Sequence, residues 1–383
     1  VLKSGGGTVT TTPAEDDVVG LLRDLIQIES TNPGKGERKA AEYVAEKLSE
    51  VGIEPTILES EPGRASVVAR MEGSDRSRSG LLVHGHLDVV PAHAPDWQVD
   101  PFSAEVRDGC IWGRGAVDMK DMDAMTLAVV RQWAREGKKP PRDLVLCFTA
   151  DEEAGGRYGA HWLVDHHAHL FDGCTEAISE VGGFSVTIHD DLRLYLIETA
   201  EKGMAWLKLT AKGRAGHGSM VNDDNAVTKL TEAVARIGRH EWPIRMTTTM
   251  QRLLEELSDA LGIELDPDNP ETAISRLGSL SRMIGATVRN SANPTMLEAG
   301  YKVNVIPGAA HAQIDGRFLP GFEDEFFATI DELIGPDITR ETLTHDIALE
   351  TTFDGAIVDA MSAALKAEDP GAHPVPYVMS GGT

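Results

Sequence analysis

Two short motifs, HGHLDVVP (His84–Pro91) and GRGAVDMK (Gly113–Lys120), each offer a metal-binding side chain. An acidic DEE follows an apolar run at Asp151–Glu153, and Glu180 follows another. Imidazole and carboxylate delivered from several loops are the donors of a hydrolytic zinc site. His86 and Asp88, two apart on an extended segment, point the same way. Asp88 can thus bond one ring nitrogen of His86 while the other faces a metal; alone, the pair also fits a polar turn after a buried strand. His84 shares their parity but sits further back, and is expected to be structural. Asp118 stands in a glycine-flanked loop, where its carboxylate either bridges two ions about 3.5–4 Å apart or caps a helix. No GxGxxG spacing supports phosphate binding there. Glu152 and Glu153, adjacent in the chain, are not expected to point to one spot. They read as a general base and a metal ligand in turn, or as a solvated acidic loop. Glu180 is a further carboxylate ligand or an exposed strand end. His217 in GRAGHGS is a loop or catalytic histidine, and Arg317 in DGRFLPG meets a substrate carboxylate or ends a strand. The cluster His161, His166, His167 and His169 has no carboxylate arrangement and is expected on the surface.

These groups need a scaffold, and 383 residues suffice for two cores. A net charge of −25 argues against nucleic-acid partners. No apolar run approaches the roughly 20 residues that span a bilayer. Cys110, Cys147 and Cys174 lie far apart, without CxxC pairing, which fits a reducing, cytoplasmic setting. Alternating helices and strands predict a three-layer α/β domain with a largely parallel sheet. Its elements are a helix capped by Thr12 and a second over Glu37–Val51, strands near 54–59, 65–71, 81–83, 144–148 and 177–179, and helices near 120–136 and 159–170. His86, Glu152 and Glu180 all fall just past strand ends, where open α/β sheets bind ligands. Near residue 198 the texture changes. Strands at Met204–Ala211, Tyr301–Val305 and Gln313–Phe318, with helices near 225–237 and 324–333, predict an inserted α+β domain. Met250–Leu277 reads as an extra helical excursion, and a helix through 356–366 returns the chain to the first domain. The expected division is therefore 13–197 and 349–383 for the first domain, and 198–348 for the insert.

In this order HGHLDVVP, WQVDPFSAEVRDGCIWGRGAVDMK, DEE and Ser179–Glu180 resemble the dinuclear zinc peptidase and deacylase family. That family includes acetylornithine deacetylase, succinyl-diaminopimelate desuccinylase, aminoacylase, carboxypeptidase G and carnosinase-like dipeptidases. The resemblance covers nearly the whole chain. It implies a zinc-peptidase-like catalytic domain with a ferredoxin-like lid and dimerisation domain. It also implies two Zn2+ per subunit, with Co2+ or Mn2+ as substitutes: His86, Asp118 and Glu180 on one ion, and Asp118, Glu153 and a C-terminal histidine on the other. Glu152 is then the general base, Asp88 the partner of His86, and the bond after Asp118 cis. His217 would stabilise the oxyanion in a partner subunit. Asn304 and Arg317 would contact the substrate's carboxylate end, with Gly381 and Gly382 lining the pocket. Two departures stand out: Asp121 and Met122 replace the usual Gly-Gly after DMK, and the sequence stops at Thr383, before the expected last ligand. His373 does not match that position, so a C-terminally incomplete record of a working enzyme is expected. The implied activity is hydrolysis of the amide bond of N-acyl amino acids or short peptides next to a free carboxylate. A dipeptidase or carboxypeptidase with the same centre, or a silent family member, is the alternative. The implied partners are a small-molecule substrate and a second copy of the chain, with neither nucleic acid nor membrane.

Overall fold

The computed structural model describes residues 13–34, 36–180, 185–278 and 281–381. The expected Thr12 cap and Gly382 lie outside this range. The chain's own contacts divide it between Glu180 and Val181 into two units.

The first unit opens with α1 (Pro13–Gln27), which starts on a proline whose missing N–H costs nothing in a first helical turn. Leu21, Leu22, Leu25 and Ile26 form its buried stripe. There follow α2 (Glu37–Ser49), β1 (Pro55–Glu61), β2 (Arg64–Met71), β3 (Gly80–His86), the small hairpin β4 (Glu105–Arg107) and β5 (Cys110–Trp112), α3 (Lys120–Arg135), β6 (Leu144–Thr149), α4 (Ala160–His167) and β7 (Cys174–Ile178). The main sheet has the order β1-β2-β6-β3-β7. β6, β3 and β7 run parallel, whereas β2 is antiparallel to β1 and β6.

Strand periodicity builds the layers. Val67, Ala69, Leu144, Leu146 and Phe148 face one way, into a core with α1, α2 and α3. Val68, Val145 and Cys147 face the other way, onto Leu163 of α4. With both faces covered, β6 is buried along its whole length, which is why LVLCFT reads as an unbroken apolar run. Because β3, β6 and β7 are parallel, their C-terminal ends share one edge. His86 ends β3, the DEE turn follows β6, and Glu180 lies just past β7.

The Asp118 loop is tied to this frame by Lys120. Its buried ammonium donates to the carbonyls of Leu25 (3.0 Å) and Ile28 (2.9 Å) at the end of α1, and burial pushes its pKa down to about 8. Gly115 has φ +85°. A Cβ there would lie 2.9 Å from Val89 Cγ1 and 3.0 Å from Lys120 Cδ, so only glycine lets the loop close over the lysine stem.

The second unit comprises β8 (Ser185–His189), β9 (Leu192–Glu201), β10 (Gly203–Lys212), β11 (Gly216–His217), α5 (Ala226–Arg239), α6 (Thr248–Leu261), α7 (Pro270–Ser275), α8 (Ser281–Thr287), β12 (Ser291–Ala299), β13 (Val305–Ile306), β14 (Ala309–Phe318), α9 (Glu323–Ile334), β15 (Ile338–Asp346), β16 (Leu349–Glu350), α10 (Ala356–Glu368) and β17 (Ala372–Met379). β10-α5-β12-β14-α9-β15 is a βαββαβ run with the antiparallel order β12-β14-β10-β15, a ferredoxin-like topology. Helices α6 to α8 interrupt it where the helical excursion is expected. A separate sheet joins β9 to β8, β16 and β17. It shares a core with α6, distinct from the core under α5 and α9.

Three expectations need correction. Residues 301–304 are not strand: Gly300 turns at φ +71° and only Val305–Ile306 pairs. Contacts put the boundary at 180/181 rather than 197, and they group 349–382 with the second unit because β17 pairs in parallel with β9. Within that unit, however, β10, α5, β12, β14, α9 and β15 keep their own core. Among the described residues no helix is long and apolar enough to cross a membrane.

Replacing Lys120 by Met keeps most of the stem's bulk but strands two helix-end carbonyls. Urea unfolding is expected to show a loss of about 2–4 kcal/mol, and an unchanged midpoint would contradict the anchoring role.

Candidate metal centre

His86 is fully buried at the end of β3. Its Nδ1 lies 3.0 Å from the backbone carbonyl of Asp88, an acceptor that places the ring proton on Nδ1. The opposite nitrogen, Nε2, faces Asp118 Oδ1 at 3.1 Å, Glu180 Oε2 at 3.3 Å and Glu152 Oε2 at 3.6 Å.

The Asp88 carboxylate does more than the spacing suggested. It is 3.6 Å from Nδ1, so the orienting bond comes from the carbonyl of the same residue. The carboxylate itself accepts from Asn32 Nδ2 (2.8 Å) and from the N–H groups of Glu152 (3.0 Å) and Glu153 (3.1 Å). Burial works against its charge, but the His86 ring, Asn32 and the Glu152 N–H outweigh it and hold its pKa below the ordinary range. Asp88 therefore fixes the end of β3 and the DEE turn together.

Behind it lies a buried network that sequence reasoning missed. Asn32 also donates to Asp151 Oδ1 (3.2 Å) and accepts from Arg64 Nη2 (3.0 Å). Arg64 in turn pairs with Glu37, and with Asp151 at 3.4 Å. The available signal was polar residues just after an amphipathic helix, Ser30 to Asn32, which looks like any loop.

Asp118 precedes a cis peptide bond, as the resemblance implied. The His86 ring draws its carboxyl pKa down, and Met119 Sδ lies 3.2 Å from the His86 N–H. Asp151 holds φ +69° at the entry to the short turn that carries both glutamates. Glu153 Oε1 accepts from Val90 N at 3.1 Å; burial, then the Asp118 charge, raise its pKa. Burial pushes Glu152 up to about 7, with Glu180, Glu153 and Asp88 adding to the shift against the opposing pull of His86.

Ligand atoms of His86, Asp118 and Glu180 lie within 4.8 Å of one another, as do those of His86, Glu152 and Glu153. Burial disfavours a charged His86 ring, yet bonds to Asp118, Asp88 and Glu180 raise its pKa regardless. A proton on Nε2 thus sits where the carboxylates call for positive charge. A divalent cation answers the same demand with N and O donors of the kind zinc accepts, so the residues fit a metal.

The second unit brings His217 and Asn304 together. A short ladder pairs His217 with Val305, and Gly218 N donates to Asn304 O at 2.9 Å. Ser219 N–H donates to His217 Nδ1 (3.3 Å), so the ring proton lies on Nε2, available as a donor. Arg317 gives Nε and Nη2 to Asp315 (2.8 and 3.4 Å), and buried Nη1 has no hydrogen-bond partner among the described residues. Gly381 follows β17. His373 bonds Glu256 at 3.2 Å. His166 stacks on Trp162, and the 161–169 histidines join no metal-ligating group among the described residues.

A model described as peptidase family M20/M25/M40 matches residues 82–383. The chain belongs to this family. Among its M20 relatives, N-fatty-acyl-amino acid synthase/hydrolase PM20D1 of Xenopus tropicalis is 29% identical over 83% of this chain, which spans 62% of that protein's length. Aminoacylase-1 of Pongo abelii is 28% identical over 82% of this chain and 68% of its own. The M20 family metallo-carboxypeptidase Sso-CP2 of Sulfolobus solfataricus shares the fold, with a TM-score of 0.71 at 20% identity over 96% of this chain and 87% of that one.

Asp88→Ala removes the acceptor shared by the two glutamate N–H groups. It is expected to weaken Zn2+ affinity about 10–100-fold with unchanged circular dichroism. Wild-type affinity in a zinc titration would show that the clamp does not matter.

Proposed function

We propose that this chain is a metal-dependent amidohydrolase that cleaves the amide bond of N-acyl amino acids or short peptides beside a free carboxylate. The observation that carries this is two groups of ligand atoms that share His86, one with Asp118 and Glu180 and the other with Glu152 and Glu153, with the Glu152 carboxyl pushed up to about 7. His86, Asp118 and Glu180 would hold one zinc ion, and Asp118, Glu153 and a further histidine the other, with Co2+ or Mn2+ as substitutes. Ions so held supply Lewis acidity at the scissile carbonyl and acidify water.

Glu152 takes the proton of the attacking water and returns it to the departing amine nitrogen. A base of pKa near 7 suits both transfers, because neither protonation state is strongly disfavoured at neutral pH. His217 would donate its Nε2–H to the oxyanion in a partner subunit, in the manner of a fixed hydrogen-bond donor. Asn304 and Arg317 would receive the substrate carboxylate, with Gly381 and Gly382 lining the pocket. The ferredoxin-like domain serves as lid and dimerisation surface. In support, β12 is an edge strand, with Met296 and Leu297 both 59% exposed. Three free cysteines support a reducing, cytoplasmic setting.

Glu152→Gln in the full-length protein is expected to keep its metal, by elemental analysis, while kcat falls at least about 10²–10⁴-fold; retained turnover would remove Glu152 as base. His217→Ala is expected to lower kcat with the oligomer intact, and an unchanged kcat would remove its oxyanion role. A panel of acetylated, longer acylated and dipeptide substrates separates deacylase from dipeptidase or carboxypeptidase. Chelation should abolish all turnover, with added Zn2+ restoring it.

A further inference from the structure

His84 precedes His86 by two residues on β3, the strand between β6 and β7, and its ring reaches both neighbours. Nδ1 is 2.7 Å from Ser179 Oγ, just past β7, and Nε2 is 3.1 Å from Thr149 Oγ1, the last residue of β6. The Thr149 hydroxyl is also 3.3 Å from the Gly85 carbonyl, which can only accept. For a neutral ring, one ordering of protons satisfies every contact. Thr149 donates to Gly85 and accepts from His84 Nε2–H, while His84 Nδ1 accepts from the Ser179 hydroxyl.

The resulting chain has a direction, from β7 through β3 to β6 and back to β3. Each strand it ties delivers a member of the cage. Ser179 adjoins Glu180, Thr149 stands two residues before the DEE turn, and Gly85 adjoins His86. An apolar side chain would fill the same space without fixing any of these ends.

We propose that His84 is a positioning residue of the metal centre, a neutral Nε2–H crosslink that sets the spacing of Glu180 and the Glu152–Glu153 turn relative to His86. The proposal rests on the metal-centre reading above. It assigns His84 no contact with substrate or metal.

Two readouts test it. In metal-free protein with ¹⁵N-labelled histidine, NMR is expected to show the His84 ring as the Nε2–H tautomer. An Nδ1–H tautomer would overturn the proposal, and this result does not depend on whether the protein binds metal. In Co2+ titrations, His84→Ala and Ser179→Ala are each expected to weaken affinity about 10–100-fold. The double variant should be no weaker than the worse single, because both remove one shared bond. The visible spectrum of bound Co2+ should change alike in all three, and His84→Gln, which keeps a donor and an acceptor, should recover part of the loss. Wild-type Co2+ affinity in His84→Ala, or additive losses in the double variant, would overturn it. If His84→Ala does not fold, Ser179→Ala at its exposed position carries the test alone: weakened affinity supports the crosslink and wild-type affinity overturns it.

Discussion

Crowding of negative charge around one buried imidazole nitrogen is the constraint that shapes this molecule. Asp118, Glu152 and Glu180 all come within 3.6 Å of His86 Nε2, and Glu153 joins the same cluster. At an effective dielectric of about 20, two carboxylates about 4 Å apart repel by about 4 kcal/mol. Such a set persists only where the backbone holds it and something positive balances it. The parallel ends of β3, β6 and β7 do the holding, and a bound cation would do the balancing.

The hydrogen bonds around the cage follow from that need. Asp88 clamps the two glutamate N–H groups. Asn32 shares its amide between Asp88 and Asp151, and Arg64 supplies the counter-charge to Glu37 and Asp151. Lys120 ties the Asp118 loop to the end of α1. Buried polar groups this numerous would be costly if left unpaired. Here most have partners, and the partners all converge on the edge where the cage forms.

Much of this was legible beforehand. The unbroken apolar run of β6 and the residues just past each strand end announced a ligand edge, and the motifs named the cage residues. What was hidden depended on tertiary pairing. Asn32 and Arg64 carry no periodic signal. The strand β17 contains Pro374 and Pro376, which argue against a strand except at a sheet edge. β15 reads ITRETLTHD, mostly polar because one face is solvated, so its alternation is faint. The role expected of the Asp88 carboxylate passed to its carbonyl, a distinction of a few tenths of an ångström that no sequence pattern encodes.

The most direct measurement is anomalous X-ray diffraction at the zinc edge from crystals of the full-length protein grown with Zn2+. Two peaks are expected at the C-terminal edge of β3, with Asp118 contacting both and with His86 and Glu180 at one. Absence of any peak within reach of His86, or an Asp118 carboxylate turned away from the bound ion, would contradict the dinuclear centre.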